Sequence, residues 1–215
     1  MRKTPLVTGE FYHVYNRGVD KRKIFNNHYD LERFLQSMEE FNSVEPIGSI
    51  YENSYVKNNK KTQLGHRMSK LELVEFITYC LNQNHYHLLL RQKAEKGIER
   101  FMQKLGNGYT KFFNNKYKRS GVLFQGSFKS IHVESNEYLL HLSAYINLNN
   151  KQKNNKTLSK SSWEEYTEDY QNRVCKTEII LDQFKNKKDY KSFAESSLED
   201  IIVRKKMLDE LEELE

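Results

Sequence analysis

Leu73-Val74-Glu75-Phe76-Ile77-Thr78-Tyr79-Cys80-Leu81, then Asn82-Gln83-Asn84, then His85-Tyr86-His87-Leu88-Leu89-Leu90, run on without interruption. Their reading decides the fold. Two apolar runs, the first rich in β-branched and aromatic residues, flank a polar connector of hairpin length, the pattern of an antiparallel strand pair. The second strand opens with imidazoles at i and i+2, which therefore share one face of the sheet. Two histidines so placed can reach one metal ion, or can stand as two satisfied polar residues on a sheet face.

Working outward, Gly9 to Asn16 is an aromatic, β-prone run that ends at the turn signal Arg17-Gly18. In Asp30 to Phe41, Leu31, Phe34, Leu35, Met38 and Phe41 fall at helical spacing. After the hairpin, Gly97 to Tyr117 reads as a helix carrying Ile98, Phe101, Met102, Leu105, Tyr109 and Phe112/Phe113, weakened by Gly106 and Gly108. Phe128 to Glu134 is a third strand candidate, and Ser135 or Asn136 caps a helix from Tyr138 to Asn149. The order β-α-β-β-α-β-α is that of an α+β, ferredoxin-like (RRM-like) split βαβ domain with an antiparallel sheet and one extra helix. A sheet covered by helices on one face leaves the other for a ligand. We place this domain at residues 1–150 and a helical C-terminal extension at 151–215, which begins with the polar Lys151–Lys156 linker and ends in the amphipathic stretch Leu198–Leu211. Residues 45–70 are mostly polar and lysine-rich, and read as an insertion or long loop.

The 215 residues suffice for a substantial core. Lys and Arg number 35 against 29 acids, giving +6 and a pI near 9.1. The excess is uneven: across residues 91–129 only Glu95 and Glu99 are acidic, whereas the last eighteen residues are acidic overall. A basic, aromatic-rich middle points to a polyanionic partner, nucleic acid before others. Cys80 and Cys175 lie far apart, which speaks against a disulfide framework or a thiolate zinc site. No stretch approaches the ~20 apolar residues of a membrane span, and residues 1–5 lack an apolar leader core, so a cytoplasmic protein is the expectation.

Tyr145 and Asn149 stand one helical turn apart. If their face packs over the histidine strand, a phenol and an amide oxygen meet two imidazoles. Such a set suits a divalent cation that also binds phosphate oxygens while a tyrosine attacks phosphorus. Spacing alone is a weak signal in a chain with 14 tyrosines.

The run Phe11-Tyr12-His13-Val14-Tyr15-Asn16-Arg17-Gly18 with Lys23-Ile24-Phe25, the core Tyr79 to Leu90, the stretch Arg119 to Ser130 and the segment Tyr138 to Asn149 resemble, in order, motifs of the single-tyrosine HUH transposases. The resemblance is to their REP-associated tyrosine transposase branch, within the IS-like transposases, and spans about residues 9–150. Ser162-Trp163 and the 180–193 stretch are similar to that branch more loosely. It implies that His85 and His87 are metal ligands with Tyr86 between them in the hydrophobic slot, that Tyr145 is the nucleophile and that Asn149 is the third ligand. It further implies a metal-dependent transposase (HUH endonuclease) that cuts and rejoins single-stranded DNA, often next to a hairpin, through a 5′-phosphotyrosine, in DNA transposition and recombination. Mg²⁺ or Mn²⁺ is the expected ion.

The chain departs from the family pattern in places. Asn82-Gln83-Asn84 stands where the family usually has Met-Pro-Asn, Asn150 where a proline follows the third ligand, Phe124 for a tryptophan and Ser127 for an arginine. DNA sequence preference is therefore not carried over. Arg17, Arg22, Lys23, Arg119 and Lys129 are candidate phosphate contacts, Gln125 a candidate base contact and Phe124 a candidate stacking platform. Two rivals stand beside this reading: a non-catalytic RRM-like module that binds single-stranded nucleic acid, and a phosphodiesterase with water as nucleophile. The oligomeric state, monomer or homodimer, is open.

Overall fold

The computed structural model describes residues 5–47, 50, 71–150, 158–171 and 173–197. Most of the 45–70 segment, the Lys151–Lys156 linker and the amphipathic Leu198–Leu211 stretch lie outside them. In chain order come β1 (Phe11–Arg17), α1 (His28–Phe41), β2 (Val74–Asn82), β3 (His85–Gln92), α2 (Gly97–Lys116), β4 (Lys129–His132) and α3 (Asn136–Leu148). β5 (Ser159–Ser161), α4 (Trp163–Thr167) and α5 (Glu178–Leu181) follow, and residues 187–197 form a further helix, α6. The sheet runs β4-β1-β3-β2-β5 with every pairing antiparallel. Its first four strands have the ferredoxin-like order that the β-α-β-β-α-β pattern predicts.

Element ends follow local chemistry. The Asn27 side chain accepts from Asp30 N at 3.2 Å to open α1, and the Ser135 hydroxyl accepts from Tyr138 N at 3.1 Å to open α3. Asn82 belongs to β2, so the hairpin turn is only Gln83 and Asn84. β4 is shorter than the predicted 128–134 strand. It lies on the sheet's outer edge, and its ladder with β1 ends at Tyr15 and His132.

Tyr86, Leu88 and Leu90 turn to one face of β3, where α1 and α2 cover them. Phe34 meets Tyr86 at 5.3 Å between ring centroids, and Phe25, Phe34 and Tyr109 interlock edge-to-face or tilted. The opposite face is covered only in part, and stays open toward β1 and β4. α3 lies across it at β2 and β3, with Tyr145 against His87. It packs there because Leu89 and Cys80, both fully buried on that face, need cover.

β5 and the following residues were not foreseen as part of this layer. Ser162 Oγ accepts from Tyr79 N at 3.0 Å and donates to Asn147 Oδ1 at 2.6 Å. The buried Tyr190 hydroxyl accepts from Asn147 Nδ2 at 2.9 Å and lies 3.2 Å from Ser143 Oγ. α3 is thus held between sheet and C-terminal residues. No helix among the described residues is long and apolar enough to cross a membrane.

Two helix glycines behave oppositely. At Gly97 a Cβ would lie 2.2 Å from the Leu73 carbonyl oxygen, whereas at Gly106 nothing lies within 4 Å. Gly97→Ala should therefore cost about 1–3 kcal/mol through forced displacement of backbone. Gly106→Ala should stabilise by about 0.5–1 kcal/mol through reduced chain entropy. Urea unfolding of the two variants reads both values, and equal shifts of one sign would contradict the close approach at Gly97.

Candidate active site

The strand register assembles the site. In the β2-β3 ladder Asn82 stands opposite His85 and Cys80 opposite His87; in the β1-β3 ladder Tyr15 stands opposite His87 and His13 opposite Leu89. Directly opposed residues share a face. His85, His87, Asn82, Tyr15 and His13 are therefore neighbours, and α3 brings Tyr145 and Asn149 onto the same patch.

The imidazoles of His85 and His87 sit 5.2 Å apart, ring planes at 87°. His85 Nδ1 lies 2.7 Å from Asn84 Oδ1. Since an amide oxygen only accepts, Nδ1 carries the proton and Nε2 offers a lone pair. That lone pair faces Asn82 Nδ2 at 3.1 Å. The same Asn82 amide donates to Asn149 Oδ1 at 2.7 Å, in a contact where both asparagines are buried. His87 Nδ1 lies 2.9 Å from His13 Nε2 with the two rings stacked. Burial drives His13 down to about 4, so near neutrality its ring is uncharged.

Tyr145 is half-buried, its ring edge-on to His87 at 6.0 Å. Burial raises its pKa, and a hydrogen bond with Asn149 pulls the other way. The phenol is held protonated at neutral pH while the Asn149 amide favours the anion. Because Asn149 Oδ1 faces Asn82, its NH₂ is the group turned to the phenol.

A cleft of about 500 Å³ opens at this end of the sheet, lined by Tyr15, Arg17, Lys21, His85, His87, Gln125 and Lys129 among others. Arg17 Nε donates to Gln125 Oε1 and its carbonyl accepts from Gln125 N, so a cation and an amide are presented together. The other basic candidates sit elsewhere. Arg22 folds back, Nε donating to Val19 O at 3.2 Å, and Lys23 is exposed outside the cleft lining. Arg119 ties the glycine-rich loop to α2 through Val122 O, 2.9 Å away, and Asn114, and lies over Phe113. Phe124 packs against Tyr86 and Tyr109 and is half-buried; it lines a neighbouring groove of about 880 Å³ between α2 and the 122–128 loop. Asn16 and Tyr86 line both openings.

Among the described residues no group of three or more His, Cys, Asp or Glu is placed to hold a metal ion. Two imidazoles and the Asn149 amide oxygen nonetheless fit a divalent cation in donor type, since nitrogen and neutral oxygen donors suit Mn²⁺ and its neighbours. Asn82 and His13 did not emerge from sequence reading. Asn82 was legible in principle, because residues flanking a two-residue turn are paired and share a face; His13 became visible only with the alignment of β1 beside β3.

Comparison with known proteins gives one family. Residues 49–149 match the model described as "Transposase IS200 like". A solved structure described as "Structure of the REP associates tyrosine transposase bound to a REP hairpin" aligns over 71% of this chain and 73% of that chain, at 9% identity and a TM-score of 0.44. No curated protein matches. The segment from residue 49 to residue 149, which is similar to the IS200-like transposase family, holds His85, His87, Tyr145 and Asn149.

Proposed function

We propose that this chain is a metal-dependent single-stranded DNA transposase that cuts and rejoins strands through a 5′-phosphotyrosine at Tyr145, next to DNA hairpins, with residues 1–150 carrying the chemistry and 151–215 as a helical extension. The observation that carries the reading is the convergence of Tyr145 and Asn149 from α3 on the His85/His87 pair of β3. That convergence lies within the family match.

The step balances without a further reactant. The Tyr145 oxygen bonds to phosphorus and the bond from phosphorus to the 3′ oxygen breaks; the phenol releases its proton and the 3′ oxygen takes one up. One phosphate ester replaces another, so the step is reversible and a free 3′-OH strand can reclaim the phosphate. A bound Mg²⁺ or Mn²⁺ supplies Lewis-acid polarisation of the phosphodiester. His85, His87 and Asn149 are its holders in this proposal. Asn84 fixes the His85 tautomer by accepting from Nδ1. His13 does the same for His87 when the His87 Nδ1 proton points to it. Arg17, Lys21 and Lys129 supply positive charge along the cleft for backbone phosphates, and Gln125 a base-edge contact. Arg119 and Phe124 also shape the 119–128 loop.

Tyr145→Phe removes one hydroxyl and should abolish strand cleavage and the covalent protein–DNA adduct while leaving single-stranded DNA binding within about twofold. Denaturing gels with labelled DNA and Mn²⁺ read both. An adduct that persists in Tyr145→Phe and vanishes in Tyr138→Phe would assign the nucleophile to the wrong turn of α3.

Preformed adduct supplied with a free 3′-OH strand should yield rejoined DNA. A product consisting only of hydrolysed strand, made equally well by Tyr145→Phe, would favour water as nucleophile. DNA binding with no cleavage under any cation would favour the RRM-like binding module. His85→Ala and His87→Ala should each lower metal-dependent cleavage by about 100-fold or more, since loss of a group that merely supports a ligand already costs about 10–100-fold. Undiminished cleavage in the double variant would remove the metal role from this pair.

A further inference from the structure

Asn82 stands at the last position of β2, opposite His85 in the ladder and on the other side opposite Ser159 of β5. It is 5% exposed. Its Nδ2 lies between two acceptors, 2.7 Å from Asn149 Oδ1 and 3.1 Å from His85 Nε2. A donor group held between two converging lone pairs occupies the kind of position that a cation would take. Resting on the reading above, we propose that Asn82 is a fourth cation ligand whose amide turns over: its NH₂ satisfies Asn149 and His85 in the free protein, and its Oδ1 joins them on the ion.

The argument is one of exclusion by charge and space. Once His85 Nε2 and Asn149 Oδ1 give their lone pairs to a cation, an NH₂ group left beside them faces positive charge at contact distance. Withdrawal of the whole side chain is hindered, because Asn82 is buried between strands β3 and β5. A half-turn of the amide exchanges NH₂ for O at almost no change in volume and converts repulsion to coordination. It raises the protein donors from three to four without adding charge. In the free protein these acceptors are at the same time satisfied, since Asn149 Oδ1 and His85 Nε2 each face the Asn82 NH₂.

Isothermal titration of Mn²⁺ into the full chain without DNA tests the inference. Asn82→Leu, close in size and without an amide, should weaken Mn²⁺ binding by about tenfold, the scale for loss of a supporting contact. Asn82→Asp should tighten it by about tenfold or more, because it adds a negative charge to a neutral donor set. A merely structural role predicts that both variants weaken binding or neither does. Thermal unfolding confirms that each variant is folded, and the near-isosteric Asp variant keeps the test sharp if Leu misfolds. His85→Ala is the control. If His85→Ala loses Mn²⁺ while Asn82→Leu and Asn82→Asp stay within twofold of the unaltered chain, the Asn82 role is overturned and the cation site stands. If His85→Ala binds Mn²⁺ as before, the cation site itself is misplaced and the inference falls with it.

Discussion

The pleat of β3 is the constraint on which the site depends. Leu88, Leu89 and Leu90 are each fully buried, so this strand is covered on both faces over its second half. Over its first half the faces part company: Tyr86 enters the aromatic core of α1 and α2, while His85 and His87 turn to α3. A one-residue slip of register would drive two imidazoles into that core and turn Tyr86 out toward the cleft, at a cost of buried apolar area. The core therefore fixes the direction of the histidines, and the hairpin turn at Gln83-Asn84 fixes their height along the sheet.

The electrostatics of the cleft follow from what is missing from its walls. Among the described residues its lining includes Arg17, Lys21 and Lys129 and no carboxylate. The acidic groups nearby in sequence are engaged elsewhere: Glu10 with His132 at 3.0 Å, and Asp30, wholly buried, with Lys116 at 2.6 Å and Tyr117. Neutral donors at the centre and cations at the rim form a surface that a phosphate backbone can approach without meeting like charge. Such a centre binds a lone cation weakly and relies on anionic oxygen from outside to complete its shell.

Much of this was legible beforehand, for identifiable reasons. Alternation in His85–Leu90 and helical spacing in Leu31–Phe41, Ile98–Phe113 and Leu139–Ile146 placed all the main elements of the split βαβ fold, because each apolar stripe has one core to face. Tyr145 and Asn149 could be put on one helix face by their spacing alone. What sequence did not reveal was tertiary pairing. The role of Asn82 needs the partner strand, that of His13 needs β1 laid beside β3, and the hydrogen bonds of Arg119 to the 122 carbonyl and Asn114 need the folded loop. β5 is only Ser-Lys-Ser, too short and polar to announce a strand; it pairs because β2 offers an open edge.

α3 carries both Tyr145 and Asn149, and its far side is secured by polar contacts rather than by grease alone: Ser162, Asn147 and Tyr190 form one continuous chain of hydrogen bonds, all buried. A buried polar chain tolerates the loss of a member poorly, since the remaining groups are left without partners. The tilt of the tyrosine-bearing helix is thus set partly by Ser162 and Tyr190, 15 and 43 positions downstream of Asn147 and outside the matched stretch. A genetic screen for inactive proteins would accordingly recover lesions at Tyr190 and Ser162 alongside those in the cleft. Their signature would be a displaced helix with every reacting group still present.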